Sequence, residues 1–331
     1  MRYTTLPGTD FRVSVIAMGS WALSGDMAWG DQSEKDSLAA ARAAVDAGIN
    51  FFDTAPGYGD GLSERRLGMG LDGLRQQVVI ATKIGPDAMA AGKVTESVER
   101  SLVHLGTDYI DLIQIHWPSR SIPLGETLGA LEALKRQGKV RAIGLSNFGK
   151  LDLADALAIA RPTTNQLPYS LLSRAVEFEI VPACARAGVG VLCYSPLLWG
   201  LLAGSYEQPQ QVPDGRARSR HFSPARKLIR HHEAGCERET FQAIADVRRI
   251  AERLSVPMSD LAVAWLLHQP GVSAVLTGIR RPEQAAANVK AAALTLDRDT
   301  LAELDRVTQP VKQALGENPD LWQSGSDTRF R

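Results

Sequence analysis

Cysteine is scarce in this chain. Three occur in 331 residues, Cys184, Cys193 and Cys236, too few and too scattered for a disulfide framework, and a reducing compartment fits best. Net charge is absent as well: 37 basic residues balance 37 acidic ones, so no global field favours nucleic acid or an anionic membrane. No apolar h-region is found in Met1-Arg2-Tyr3-Thr4-Thr5-Leu6-Pro7, and no signal peptide is expected. One long uncharged run, 187–206, is interrupted by Gly188, Gly190, Pro196, Gly200 and Gly204. It reads as a core strand and turns rather than a membrane span. Metal spacing is missing too: His221, His231, His232 and Cys236 fit no familiar zinc pattern, and no metal is expected. These absences describe a cytoplasmic protein that binds neither nucleic acid nor membrane.

What is present is material for a core, with 44% hydrophobic and 22% charged residues. The chain is organised around Gly48-Ile49-Asn50-Phe51-Phe52-Asp53-Thr54-Ala55-Pro56-Gly57-Tyr58-Gly59. Gly48 supplies a helix stop, the apolar residues a strand buried on both faces, and Pro56, Gly57 and Gly59 a turn presenting Tyr58. A similar unit recurs. Strands ending at Lys83, His116, Ser146-Asn147 and Tyr194-Ser195-Pro196 alternate with helices stopped at Gly106, Gly138 and Gly188. Counted from Val15, eight strands alternate with helices, the pattern of a (β/α)8 TIM barrel of roughly 250 residues or more. The hairpin around Pro7-Gly8-Thr9-Asp10 precedes it, and extra C-terminal helices follow, closing with 297–308. No composition shift divides the chain, so residues 1–331 are expected to form one domain with an irregular tail over 309–331. A doubly wound sheet would require a phosphate-binding glycine turn between strand and helix. Gly68-Met69-Gly70-Leu71-Asp72-Gly73 matches its letters, but a helix precedes it and a strand follows. It reads as a helix exit.

The strand ends carry the chemistry. Asp53 closes the second strand with Tyr58 just beyond, Lys83 closes the third and His116 the fourth. In a barrel these ends converge on one rim, and packing alone does not explain three consecutive desolvated ionisable groups. Lys83 needs Asp53 to stay charged in a dry site. Its ammonium beside Tyr58 is expected to lower the phenol's pKa and make it a general acid. His116 could orient a carbonyl oxygen. Such a site protonates an oxygen while its carbon receives a nucleophile. None of these side chains supplies one, but a hydride from a cofactor would.

Asp53, Tyr58, Lys83 and His116, in this order, resemble the catalytic tetrad of the aldo-keto reductase superfamily. Gly19-Ser20-Trp21, Gly144-Leu145-Ser146-Asn147-Phe148, Tyr194-Ser195-Pro196-Leu197 and Gly278-Ile279-Arg280-Arg281-Pro282-Glu283-Gln284 extend the match over nearly the whole chain. The loop 19–30 is most similar to a bacterial NADP(H)-dependent branch. The resemblance implies NADPH (NADP+) bound across the rim, with Asp53, Ser20 and Trp21 beside it. Ser146, Asn147 and Gln166 would hold the carboxamide and Tyr194 would stack on the nicotinamide. Ser195, Pro196, Leu197 and Gly200 would line the pyrophosphate path. Gly278, Arg280, Gln284 and Asn288 would contact the adenosine end, with Arg280 facing the 2′-phosphate. Trp21, Trp29 and Trp117 would wall a pocket for a small carbonyl substrate.

Two departures bear on cofactor grip: Ser205 stands where relatives often carry lysine, and Ala287 where they often carry glutamate. The basic run Arg216, Arg218, Arg220, Arg226, Lys227 and Arg230 is either a solvated face or a phosphate clasp. The expected activity is NADPH-dependent reduction of an aldehyde or ketone. The alternatives are an NAD(P)-dependent sugar or polyol dehydrogenase and a cofactor-sensing regulatory subunit of the channel-β type. Such subunits carry asparagine where this chain has His116, which argues against the last. Substrate identity, reaction direction and homo-oligomer formation stay open at this level.

Overall fold

The computed structural model describes residues 1–25 and 29–331; the 26–28 part of the tryptophan loop lies outside the described residues. The chain opens on an antiparallel hairpin, β1 (Tyr3–Thr5) and β2 (Arg12–Ser14). Eight further strands are all parallel: β3 (Ile16–Gly19), β4 (Phe51–Asp53), β5 (Val79–Ile84), β6 (Ile110–Ile115), β7 (Val140–Ser146), β8 (Thr164–Pro168), β9 (Gly190–Tyr194) and β10 (Val272–Gly278). They close into a barrel when β10 pairs with β3, Val275 opposite Ile16 and Gly278 opposite Gly19. This is the (β/α)8 barrel that the alternation implied.

The helices are α1 (Glu34–Asp46), α2 (Leu62–Gly70), α3 (Ala91–Leu105), α4 (Leu124–Arg136), α5 (Lys150–Ile159), α6 (Ile180–Ala187), α7 (Glu237–Arg253), α8 (Met258–Leu267), α9 (Pro282–Ala291) and α10 (Arg298–Leu315). The first shows how sequence positions the site. Ser33 caps α1 by accepting from the Asp36 amide, and Glu34 and Asp36 sit at its positive end. The helix then stops at Gly48, whose φ of 86° turns the chain back into β4 and delivers Asp53 to the rim.

Two apolar cores result. One lies between strands and helices. The other fills the lower lumen with Ala17, Phe51, Val79, Ala81, Leu112, Ala142, Leu192 and Ala274, and the hairpin residues Leu6, Phe11 and Val13 plug it from below. Alternate residues of a strand share a face, so the positions above Phe51, Ala81 and Leu112 are Asp53, Lys83 and Gln114. The lumen is therefore apolar at the bottom and polar at the top.

One added helix, α7, precedes β10 in the chain and packs against the C-terminal α10. It covers α8, whose residues 261–266 are all buried because strand and helices enclose it. The irregular tail begins after Leu315 rather than at 309, since α10 continues through Pro310. In the turn before the proline, Thr308 donates its hydroxyl to the Leu304 carbonyl and Arg174 donates to that of Asp305. Burial of Val311 and Leu315 then repays the hydrogen bond that proline cannot make. Among the described residues, no helix is long and apolar enough to cross a membrane.

Candidate active site

The structure brings Asp53, Tyr58, Lys83 and His116 together at the barrel rim. Lys83, fully buried, donates from Nζ to Asp53 Oδ1 at 2.5 Å, to the Thr54 carbonyl at 2.8 Å and to the Tyr58 hydroxyl at 3.4 Å. The His116 ring stands edge-on to Tyr58, 6.1 Å between centroids. All but Lys83 line one cavity of about 380 Å³. Ser20, also expected near the cofactor, is buried and donates its hydroxyl to the Asp53 carbonyl, bracing the end of β4.

Charge in this cluster follows from burial and neighbours. Burial alone would push the Lys83 pKa down, but Asp53 and then Tyr58 hold it above the ordinary lysine value. Tyr58 corrects the sequence reading. Lys83 does favour its phenolate, yet burial outweighs that effect and Asp53 adds to it, so the phenol's pKa is raised. A protonated Tyr58 at neutral pH is what proton donation needs. Burial, then Lys83 and Arg329, lower His116 to about 3, so its imidazole is neutral.

Gln114 was missed by sequence reasoning. It is fully buried and donates its amide to Asp53 Oδ2 at 3.0 Å, beside a second donation from Gln166 at 2.8 Å. The signal was the period of two through Leu112, Gln114 and His116. Gly144 makes room for it, because a Cβ there would meet the Thr164 hydroxyl at 2.6 Å and the Gln114 chain at 3.2 Å. With both Gln166 amide hydrogens directed at Asp53 and Gln114, its oxygen is left as the acceptor. Asn147 donates to the His116 carbonyl and accepts from the Tyr194 hydroxyl at 2.8 Å, while Ser146 donates to the Gln166 carbonyl at 3.2 Å. Ser146, Asn147, Gln166 and Tyr194 thus adjoin one another and line the cavity.

From there the cavity runs past Ser195, Pro196, Leu197 and Gly200. Asn147, Ser195, Leu198 and Trp199 all take positive φ although none is glycine; such conformations cost energy and cluster at functional sites. Arg216 also lines this stretch and donates to the Tyr206 hydroxyl at 3.0 Å. Its neighbours do other things. Arg220 is buried and holds Glu233 and the carbonyls of Leu315 and Asn318, Arg226 ties loop carbonyls, and Lys227 and Arg230 are exposed. Neither a solvated face nor a clasp of the whole cluster describes this loop. His221 is likewise buried, hydrogen-bonded to Leu172 and Ser219.

At the far end lie Gly278, Arg280, Gln284 and Asn288. Gln284 accepts from the backbone amides of Arg280 and Arg281, and Asn288 donates to the Gly278 carbonyl. The Arg280 guanidinium is engaged with carbonyls of residues 29–31 and with Gln32. Trp21, Trp29 and Trp117 line the same cavity. Trp21 stacks on Tyr58 with centroids 5.9 Å apart and meets Trp29 edge-on at 5.7 Å. Trp117 packs against Phe330 and under the Arg329 guanidinium, 3.6 Å from its centroid. The tail, expected to be irregular only, adds Trp322, which lines the cavity beside Trp199. Buried Asp320 holds Arg329 through both carboxylate oxygens.

The family model described as the aldo/keto reductase family matches residues 15–309. The chain is 33% identical over 324 residues to the aldo-keto reductase YhdN of Bacillus subtilis, covering 93% of this chain and 94% of that one. It is 33% identical over 323 residues to the NADH-specific methylglyoxal reductase of Escherichia coli, covering 89% and 95%. Among solved structures, an aldo-keto reductase of Klebsiella pneumoniae in complex with NADPH superposes with a TM-score of 0.75 at 28% identity, over 93% of this chain and 96% of that one.

Proposed function

The chain belongs to the aldo/keto reductase family, and we propose that it reduces an aldehyde or ketone to an alcohol with NADPH, using Tyr58 as proton donor. The observation that carries this reading is the Lys83 ammonium held between Asp53 and the Tyr58 hydroxyl beside the cavity. The residues present fit a nicotinamide dinucleotide. The Gln166 oxygen is an acceptor for a carboxamide N–H, Tyr194 offers a ring face, and Gly278 leaves open space where a side chain would stand. Arg216 would supply beside the pyrophosphate the charge that Ser205 does not.

When bound, the cofactor supplies a hydride to the carbonyl carbon. The chain's own residues do the rest. Neutral His116 donates a hydrogen bond to the carbonyl oxygen and orients it. Tyr58 transfers its proton to that oxygen, and the phenolate left behind is stabilised by the Lys83 ammonium already at 3.4 Å. Asp53 keeps Lys83 charged, with Gln114 and Gln166 holding its second oxygen. The tryptophan walls exclude water and favour a substrate with an apolar body. By microscopic reversibility the same groups would oxidise the alcohol.

A spectrophotometric screen of NADPH and NADH consumption over sugars, small aldehydes including methylglyoxal, quinones and cyclic ketones tests the reading. Turnover with at least one carbonyl class, faster with NADPH, is expected. Consumption of neither cofactor with any class would overturn it.

A further inference from the structure

We infer that Gln32 and Arg280 form a latch between the substrate wall and the adenosine end, and that this latch sets the preference between NADPH and NADH. The inference rests on the proposed placement of the cofactor's 2′-phosphate at Arg280. The guanidinium donates through Nη1 to the Trp29 carbonyl, through Nη2 to the carbonyls of Asp31 at 2.7 Å and Gly30 at 3.5 Å, and through Nε to Gln32 Oε1 at 3.0 Å. Gln32 returns a bond from Nε2 to the Arg280 carbonyl at 2.9 Å. Arg280 is only half-buried and its four partners are neutral, so none holds it as a carboxylate would.

A guanidinium has five N–H groups, and gripping a phosphate through its fork takes two of them side by side. Four are directed at the loop, so a 2′-phosphate must draw at least one away. The loop that gives it up carries Trp29, whose ring meets Trp21, which in turn stacks on Tyr58. A 2′-phosphate and the substrate wall therefore share one cation. NADH, lacking that phosphate, leaves the latch closed. Because the two compete for one guanidinium, whatever strengthens the latch weakens 2′-phosphate binding, and whatever loosens it does the reverse.

Gln32 is not part of the cavity lining, so changing it tests the competition. Adenosine 2′,5′-bisphosphate carries the discriminating phosphate and 5′-AMP does not; both are titrated calorimetrically into the cofactor-free protein. Gln32→Ala should tighten the bisphosphate about two- to tenfold, the range spanned by one neutral hydrogen bond, with 5′-AMP unchanged. Gln32→Glu, which charges the latch, should weaken the bisphosphate and not 5′-AMP. Bisphosphate affinity in Gln32→Ala that is unchanged or weaker would overturn the latch alone. So would loss of 5′-AMP binding, because Gln32 would then hold the site up rather than compete for it. An unmodified protein that binds both nucleotides equally would remove Arg280 from the 2′-phosphate and overturn the latch together with that assignment.

Discussion

The two ends of the groove are built differently. At the tetrad, Asp53 and Lys83 are 2% and 0% exposed, and every oxygen of the carboxylate has a donor. An ion pair removed from water must be satisfied as the chain folds, because nothing else will solvate it. Its geometry is therefore complete before any ligand arrives. At the end proposed for the adenosine, Arg280 is half-buried and holds neutral carbonyls that water can replace at small cost. The lesson is that burial makes a site preformed, whereas partial exposure leaves a site that can exchange partners. On the proposed function, chemistry would sit at the first end and cofactor discrimination at the second.

Variants at each end test this contrast. The largest effect is expected from Tyr58→Phe, which should lower kcat by ~10²–10⁴-fold, the usual scale of general acid catalysis. Cofactor Kd, followed by tryptophan quenching, should stay the same. Retention of more than about a tenth of kcat would remove Tyr58 from the proton-donor role.

Breaking the buried pair should come next. Asp53→Asn leaves the Lys83 ammonium without its carboxylate and should cost about 3–5 kcal/mol of stability, measured by urea unfolding. Adding Lys83→Met should recover part of that loss while leaving the enzyme inactive. A double variant less stable than Asp53→Asn alone would contradict the preformed-pair account.

A smaller effect is expected at the exposed end. Arg280→Ala should raise the Kd for NADPH about tenfold and barely alter that for NADH, one charge-assisted contact being worth ~1.5–3 kcal/mol gross of the latch. Equal loss for both cofactors would place Arg280 outside 2′-phosphate recognition.

The smallest expected effect is none. His116, depressed to about 3, stays neutral near its ordinary value of 6.5, so kcat should show no break there. A break near that pH abolished by His116→Asn would show the ring titrating. The same depression has a stability consequence of defined sign. Below 6.5 the unfolded chain takes up a proton that the folded chain refuses, so stability present above 6.5 is lost as pH falls toward 3. His221, lowered by burial to about 4, adds to that loss, which a Tm series against pH would record.

The sequence by itself determined the barrel, since eight apolar runs alternating with helices leave few architectures, and it put Asp53, Lys83 and His116 at strand ends by their place after those runs. It also placed Tyr58 in a turn that proline and glycine impose. Gln114 escaped notice because a neutral amide inside an apolar run raises no charge argument. Trp322 and Arg329 escaped because Pro310 reads as a helix end, while buried Val311 and Leu315 carry α10 onward. Only the tertiary structure decided which way the Tyr58 pKa moves, because that sign is a contest between burial and a nearby ammonium. Only it revealed that Arg280 is occupied by a loop almost 250 residues earlier in the chain. Local pattern reports which residues are apolar, charged or bent. The balance among long-range contacts exists only once the barrel closes.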